Sequence, residues 1–362
     1  MSVNEADWAY CEQALVDVSR TFSKPIELLP RPLRVALTCA YLLCRVVDTV
    51  EDHEQLGSQE RDGLFTSFIA VLDGVQSPES FSARFAAFGD DDPALRLVQS
   101  LPRVMNVFLS QDADTRRVSI TWLSEMANGM RLYCRRDRPG ALTIIDSVSD
   151  LERYCYFVAG TVGHLITDLF SAWLGSSGSA LELELRARCE SFGIGLQLVN
   201  ILKDVTEDFA RNRCYVPRQL CQIEGFSREN LLSSEHRSQA HRALAPIFER
   251  AGEHLGKAFE YVLLIPAEQV ELRLFCLLPL WMALETLVLA IGNDAVLIAD
   301  RPVKISREAV GDLIQDCLRN AGDDAALRRR YASSMTKFKE RLVKLTPPSR
   351  SKAGAREGYA RV

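Results

Sequence analysis

Apolar residues recur at helical spacing along almost the whole chain, whereas β-branched runs bounded by turn residues are scarce. The pattern predicts helices over 4–19, 31–54, 59–72, 94–110, 114–134, 149–175, 181–209, 228–264, 267–292, 306–320 and 323–344. Gly89-Asp-Asp-Asp-Pro93 and Gly175-Ser-Ser-Gly-Ser179 read as loops, and Pro347-Pro348 closes the last helix. Val158–Leu174 and Gly193–Leu202 are apolar nearly all round, which places them in the middle of a large bundle. The longest apolar stretch, Leu274–Ile291, is interrupted by Pro279 and Glu285. A spanning helix needs about 20 apolar residues with few charges, so this stretch reads as a buried core helix. No Gly-rich dinucleotide fingerprint and no strand–helix alternation is present, which argues against a Rossmann domain. The reading is one all-α domain over 1–346, followed by a flexible basic tail over 347–362.

Two short acidic motifs stand out against this apolar background: Asp48-Thr-Val-Glu-Asp52 and Asp204-Val-Thr-Glu-Asp208. Each sets two aspartates four residues apart, with Arg45 upstream of the first pair and Lys203 upstream of the second. On a helix such carboxylates share a face and repel each other unless a cation lies between them. A single D-x-x-x-D is usually a solvated helix face. Here the flanks are apolar, Tyr41–Val47 before the first pair and Phe192–Leu202 before the second, which suggests the wall of a cavity. Hard oxygen ligands in ones and twos, with room for water and phosphate oxygens, suit Mg²⁺. The simplest expectation is two helices facing across a cavity and clamping a magnesium–diphosphate cluster.

The formal net charge of −5 over 362 residues argues against general nucleic-acid binding. It is unevenly spread: Arg328–Val362 holds eleven Lys or Arg against two Glu, a local +9 that leaves −14 on the rest. The ten cysteines show no C-x-x-C pair and no zinc spacing, and no signal peptide opens the chain. They read as reduced, mostly buried thiols in a cytoplasmic protein. His53 adjoins the first acidic motif, but Mg²⁺ favours oxygen over imidazole, which leaves it a flanking residue. His164 reads as a hydrogen-bonded core histidine, with a place in a cavity wall as the alternative.

Five ordered blocks give the chain a specific resemblance. Ser19-Arg-Thr-Phe22, Tyr41–Asp52, Tyr154–Gly163 and Gln197–Asp208 resemble successive motifs of the squalene/phytoene synthase family, over about residues 8–310. Phe275–Leu287 is similar to a segment typical of the squalene synthases within it. The resemblance implies an all-α isoprenoid-synthase fold with a central cavity. It further implies head-to-head joining of two farnesyl diphosphates through presqualene diphosphate, with Mg²⁺, and, in squalene synthases, reduction by NADPH. Carried over residue by residue, it makes Asp48, Glu51, Asp52, Asp204 and Asp208 metal ligands. Tyr154 becomes the tyrosine that assists proton removal. Phe22, Arg45, Gln197, Asn200 and Arg213 become substrate contacts, Arg20, Arg45, Lys203 and Arg213 partners of the phosphates, and Arg20, Arg45, Lys203 and Lys304 contacts of the cofactor; Tyr41, on the face of Asp48 and Arg45 by spacing, is a further substrate contact. In Val303-Lys-Ile-Ser-Arg307 the family's second basic residue falls on Ser306, one position before Arg307.

The residues support this chemistry on their own terms. A diphosphate with a long apolar tail needs an apolar tunnel, a divalent cation and basic side chains for the leaving group. The small residues Ala159, Gly160 and Gly163 either leave room for an isoprenoid chain or allow close helix packing. Two rival expectations stand: a non-reducing member making phytoene, dehydrosqualene or presqualene diphosphate, and a non-catalytic assembly protein of the same fold. The chain is expected to be a monomer, with peripheral membrane contact through its basic C-terminal segment as a hypothesis; Arg328–Arg330 as a solvated helix face is the plain alternative.

Overall fold

The computed structural model describes residues 4–19, 21–89, 91–138, 140–299 and 301–345. Seventeen α-helices and no strand occur among the described residues. In chain order they begin with α1 Glu5–Val18, α2 Ser23–Glu27, α3 Arg31–Asp52, α4 Ser58–Leu72 and α5 Pro78–Ser82. Next come α6 Pro93–Gln99, α7 Leu101–Leu109, α8 Ala113–Cys134, α9 Val148–Cys155, α10 Thr161–Trp173 and α11 Ala180–Lys203. The last are α12 Val205–Ala210, α13 Arg218–Ile223, α14 Arg237–Leu264, α15 Val270–Ala290, α16 Arg307–Asn320 and α17 Asp324–Leu345.

The helices start where the sequence offers caps. Asn4, Asp112, Ser147, Ser179 and Ser306 each accept a hydrogen bond from a backbone N–H of the first turn they precede. The core is one continuous apolar cluster, with α11 packed along α14 and both against α15. The apolar α15 is long enough to cross a membrane by length and composition, yet most of it is buried inside the bundle, as Leu274–Ile291 led us to expect. It runs through Pro279 without breaking.

Four segments that read as single helices are interrupted. The 94–110 segment breaks at Ser100, with Pro102 in the first turn of α7, where a missing N–H costs nothing. The 228–264 helix begins only at Arg237, after two 3₁₀ turns. Arg228 in the first of these is buried and donates to the Ile145 and Cys214 carbonyls. Between α9 and α10 the chain makes a π-helical turn, Tyr156–Gly160. The fourth break is at Asp204, whose backbone leaves helical geometry (φ −105°, ψ 15°) between α11 and α12. The Asp208 N–H still donates to the Asp204 carbonyl at 2.9 Å, so the motif keeps its one-turn spacing.

Candidate active site

The C-terminal turns of α3 and α11 end beside each other. Together with α12 and the irregular segment after it, they line a polar cavity. Its walls hold Asp48, Glu51 and Asp52 on one side, and Asp204 and Asp208 on the other. Arg45, Lys203, Arg213, Gln197, Asn200 and Tyr154 line the same cavity, so eleven residues singled out from the sequence meet in one place. Below it lies an apolar cavity walled by Phe22, Tyr41, Ala159, Gly163, Phe192 and Phe275, among others. Asp48, Val158, Gln197 and Asn200 line both cavities, and this makes one continuous site with a charged mouth and an apolar floor. Gly163 satisfies both readings of the small residues. It lines the apolar cavity, and a Cβ there would stand 2.1 Å from the Cys189 carbonyl oxygen.

Electrostatics at the mouth are organised around cations. Arg213 donates to Asp52 Oδ1 at 2.7 Å and to the Glu51 carbonyl at 2.6 Å, Arg45 stands 3.9 Å from Asp48, and Lys203 pairs with Asp204. Even so, burial pushes the Asp48 carboxyl up to about 7, with Asp52 adding to the shift and Arg45 opposing it. Burial raises Glu51 to about 8 against the pull of Arg213, and burial with Asp204 nearby raises Asp208 to about 7. Five carboxyl groups share the cavity with four basic side chains, Arg45, Lys203, Arg211 and Arg213.

Tyr154 is buried, and its hydroxyl donates to Tyr215 Oη at 3.1 Å and faces both Glu51 oxygens at 3.5 Å. The two tyrosine rings stack at 4.8 Å. Burial, helped by Glu51, holds the Tyr154 phenol well above its usual pKa, so it stays protonated at neutral pH.

Some expectations fall elsewhere. Lys304 is exposed on the segment before α16 and lines neither cavity. Arg20 and the 347–362 tail lie outside the described residues, as does Asp90 of the Gly89–Pro93 loop. His53 packs its ring 4.2 Å from Phe88, away from the mouth. His164 is indeed hydrogen-bonded, to Glu190 at 2.8 Å. All ten cysteines are free and buried. Sequence reading missed Tyr215 and Arg211, which complete the mouth. Tyr215 lies in an irregular segment between α12 and α13, where periodicity gives no signal.

No group of three or more His, Cys, Asp or Glu side chains among the described residues converges closely enough to hold a metal unaided. The donors are nonetheless all hard oxygens, dispersed on two walls. That arrangement fits Mg²⁺, which keeps several waters and takes one or two carboxylates plus phosphate oxygens.

The family model for squalene/phytoene synthase matches residues 15–309. The chain belongs to the squalene/phytoene synthase family. It is 29% identical over 320 residues to squalene synthase BSS of Botryococcus braunii, an alignment covering 86% of this chain. It is 28% identical over 290 residues to squalene synthase of Schizosaccharomyces pombe, covering 79% of this chain. The chain spans 64% and 60% of those two relatives. Its fold matches TcSQS in complex with the ligand BPH1237 at a TM-score of 0.75 and 22% identity, covering 94% of this chain and 96% of that one. It matches a dehydrosqualene synthase complex at 0.61 and 20% identity, covering 86% and 95%. These likenesses establish the all-α isoprenoid-synthase fold.

Proposed function

We propose that this family member is a squalene synthase, joining two farnesyl diphosphates head-to-head through presqualene diphosphate and reducing the product with NADPH. The observation that carries the reading is the continuity of the carboxylate-lined mouth with the apolar cavity through Asp48, Val158, Gln197 and Asn200. A molecule with a polyanionic head and a long apolar tail spans that junction. Asp48, Glu51, Asp52, Asp204 and Asp208 would hold Mg²⁺, which when bound neutralises the diphosphate and assists its departure. Arg45, Arg211 and Arg213 offer directional donors to the leaving group, and Lys203 a less directional charge. Phe22, Tyr41 and Phe192 line the floor where an allylic cation needs shelter from water. When the cyclopropane closes, the Tyr154 oxygen takes up the proton and passes its own on. Tyr215, whose oxygen accepts from the Tyr154 hydroxyl at 3.1 Å, is placed to receive it.

The reductive half rests on the names of the curated relatives. Of the side chains carried over for NADPH, Arg45 and Lys203 reach the mouth, and Lys304 stands outside it. The deciding experiment is product analysis of the purified protein with farnesyl diphosphate and Mg²⁺, with and without NADPH. Squalene formed only with NADPH supports the proposal. The same hydrocarbon with or without reductant would assign a non-reducing synthase, and no turnover an assembly protein.

A further inference from the structure

A further polar cavity of about 540 Å³ adjoins the mouth. Three connections wall it: the turn from α3 to α4, the loop after α8 and the segment after α12. Asp52, Arg211 and Arg213 line both this cavity and the mouth, so the two spaces share a rim. Its walls carry four arginines, Arg61, Arg138, Arg211 and Arg213, against three carboxyl groups, Asp52, Glu54 and Asp137. The pairing among them is incomplete. Arg213 donates to Asp52 at 2.7 Å, while Arg61 stands 3.9 Å from Asp137 and donates to the His53 carbonyl at 2.9 Å. Arg61 Nε is buried with no hydrogen-bond partner. Arg138 and Arg211 are exposed and form no ion pair among the described residues, which leaves Glu54 alone to oppose them. The 15-residue α4 starts at this cavity with Gly57 and Ser58, and its N-cap Gly57 offers no side-chain hydrogen bond. Its first N–H groups, at the positive end of the helix dipole, are thus left without a side-chain cap. A Cβ added at Gly57 would meet nothing within 4 Å, so the approach to them is open.

We propose that this cavity is a metal-independent site for inorganic pyrophosphate, the by-product set free at the mouth, which rests on the reading of that mouth as a prenyl-diphosphate site. Guanidinium forks match phosphate oxygens two at a time, and an uncapped helix start adds backbone donors to the same anion. The lining excludes a substrate with its chain attached. Among the described residues only Leu56, Ala141 and Ala210 bring apolar side chains to it, against the continuous apolar floor beneath the mouth. A compact polyanion with no hydrocarbon chain suits such walls. Pyrophosphate also carries more charge and more acceptor oxygens than orthophosphate, in keeping with donors spread over three connections. Arg211 and Arg213, on the shared rim, give the displaced anion two guanidinium groups common to both spaces.

Calorimetric titration of the full-length chain with sodium pyrophosphate in EDTA isolates this site, because without Mg²⁺ the five carboxyl groups of the mouth oppose an anion there. Pyrophosphate should bind, and more tightly than orthophosphate. Arg138 and Glu54 line this cavity and not the mouth, so their variants report on it alone. Arg138→Gln should weaken pyrophosphate binding about tenfold, as loss of a hydrogen bond to a charged group does. Glu54→Gln removes the opposing charge and should tighten binding about twofold. Absence of metal-free binding would overturn the site, as would orthophosphate binding as tightly as pyrophosphate. Two variants that both match wild type would do the same. Turnover of farnesyl diphosphate by the same preparations keeps the two readings apart. Turnover without metal-free pyrophosphate binding refutes the site alone, whereas binding without turnover leaves the site standing and refutes the mouth as its source.

Discussion

The apolar cavity depends on backbone touching backbone, and Gly193→Ala tests that contact. Gly193 lies on α11 and lines the cavity. A Cβ there would stand 2.0 Å from the Ala159 carbonyl oxygen, 2.4 Å from its carbon and 2.9 Å from the Gly160 nitrogen. All three atoms belong to the π turn and none can rotate aside, so α11 must retreat on the order of 1 Å to reach ordinary contact distance. Overpacking of this kind costs about 1–3 kcal/mol, and the rigid obstacle argues for the upper end. Against it, Ala is favoured over Gly inside a helix by about 1 kcal/mol. The net is a loss of about 2 kcal/mol, or a Tm lower by about 4 °C at the small shift per kcal/mol that large chains show. Gly311→Ala is the matched control: Gly311 is exposed within α16 with nothing within 4 Å of its added Cβ. It should gain about 1 kcal/mol and raise Tm. Because Gln197 and Asn200 follow one and two turns beyond Gly193, a retreat of α11 displaces the shared rim of both cavities. Turnover of farnesyl diphosphate should fall about a hundredfold, as misplacements near 1 Å do. Thermal unfolding of the two variants beside wild type gives the answer. If Gly193→Ala matches Gly311→Ala in Tm and keeps normal turnover, the close approach of α11 to the π turn is wrong.

Asp48→Asn and Asp204→Asn, one on each wall of the mouth, should each lower turnover by orders of magnitude with unchanged circular dichroism; near-normal activity of either at saturating Mg²⁺ contradicts a clamp made by both walls. In the absence of metal, Asp48, Glu51 and Asp208 sit at about 7, 8 and 7, above the value of about 4 they take when unfolded. The unfolded chain therefore ionises first, and Tm should fall as pH rises from about 4 to 8. Mg²⁺ with pyrophosphate should reverse that fall more than either alone, since no trio of carboxylates is preassembled; a pH-independent Tm without metal counts against the raised carboxyls. For membrane contact, Arg328 and Arg329 are exposed on α17, while Arg330 is engaged with Asp316 at 2.8 Å. Reversing Arg328 and Arg329, or ending the chain at Thr346, should weaken co-sedimentation with anionic liposomes, at about 1 kcal/mol per basic residue in contact; equal binding by all three chains, or none at low salt, removes the idea.

Much of this was legible from spacing. The helical periodicity of the long segments and the i,i+4 aspartates depend on neighbours in sequence, and α3 and α11 bring Asp48 and Asp204 to one cavity as their apolar flanks implied. Short elements were not legible: α2 and α13 are held by tertiary packing, with five and six residues that carry too little periodicity to read. The basic run Arg328–Arg330 looks uniform as sequence, yet Arg330 turns inward, within 5.5 Å of the Trp281 ring. Nothing in the order of residues reports which arginine finds a carboxylate from another helix.

Two of the four breaks in expected helices fall on the site itself. The π turn places Val158 on the border of both cavities and drives the Phe157 ring over Gly129, where an added Cβ would lie 2.0 Å from the ring. The break at Asp204 turns α12 so that Asp208 faces the same mouth as Asp48 and Arg213. Both are places where the local preference for continuous helix is overruled. A π turn costs hydrogen-bond geometry, and an aspartate in mid-helix competes with its own backbone. Such costs persist where surrounding packing fixes them, and they gather at functional sites. The cavity is therefore built by the very segments whose sequence reads as uninterrupted helix. If the two breaks serve the mouth, the carboxylates on α3 should tolerate a conservative Asp48→Glu change better than Asp204→Glu. A longer side chain can be absorbed along a regular helix end, whereas at Asp204 it must fit a backbone already held out of helical geometry by its neighbours. Equal loss of turnover in the two variants would show that the break at Asp204 places no special demand on its side chain.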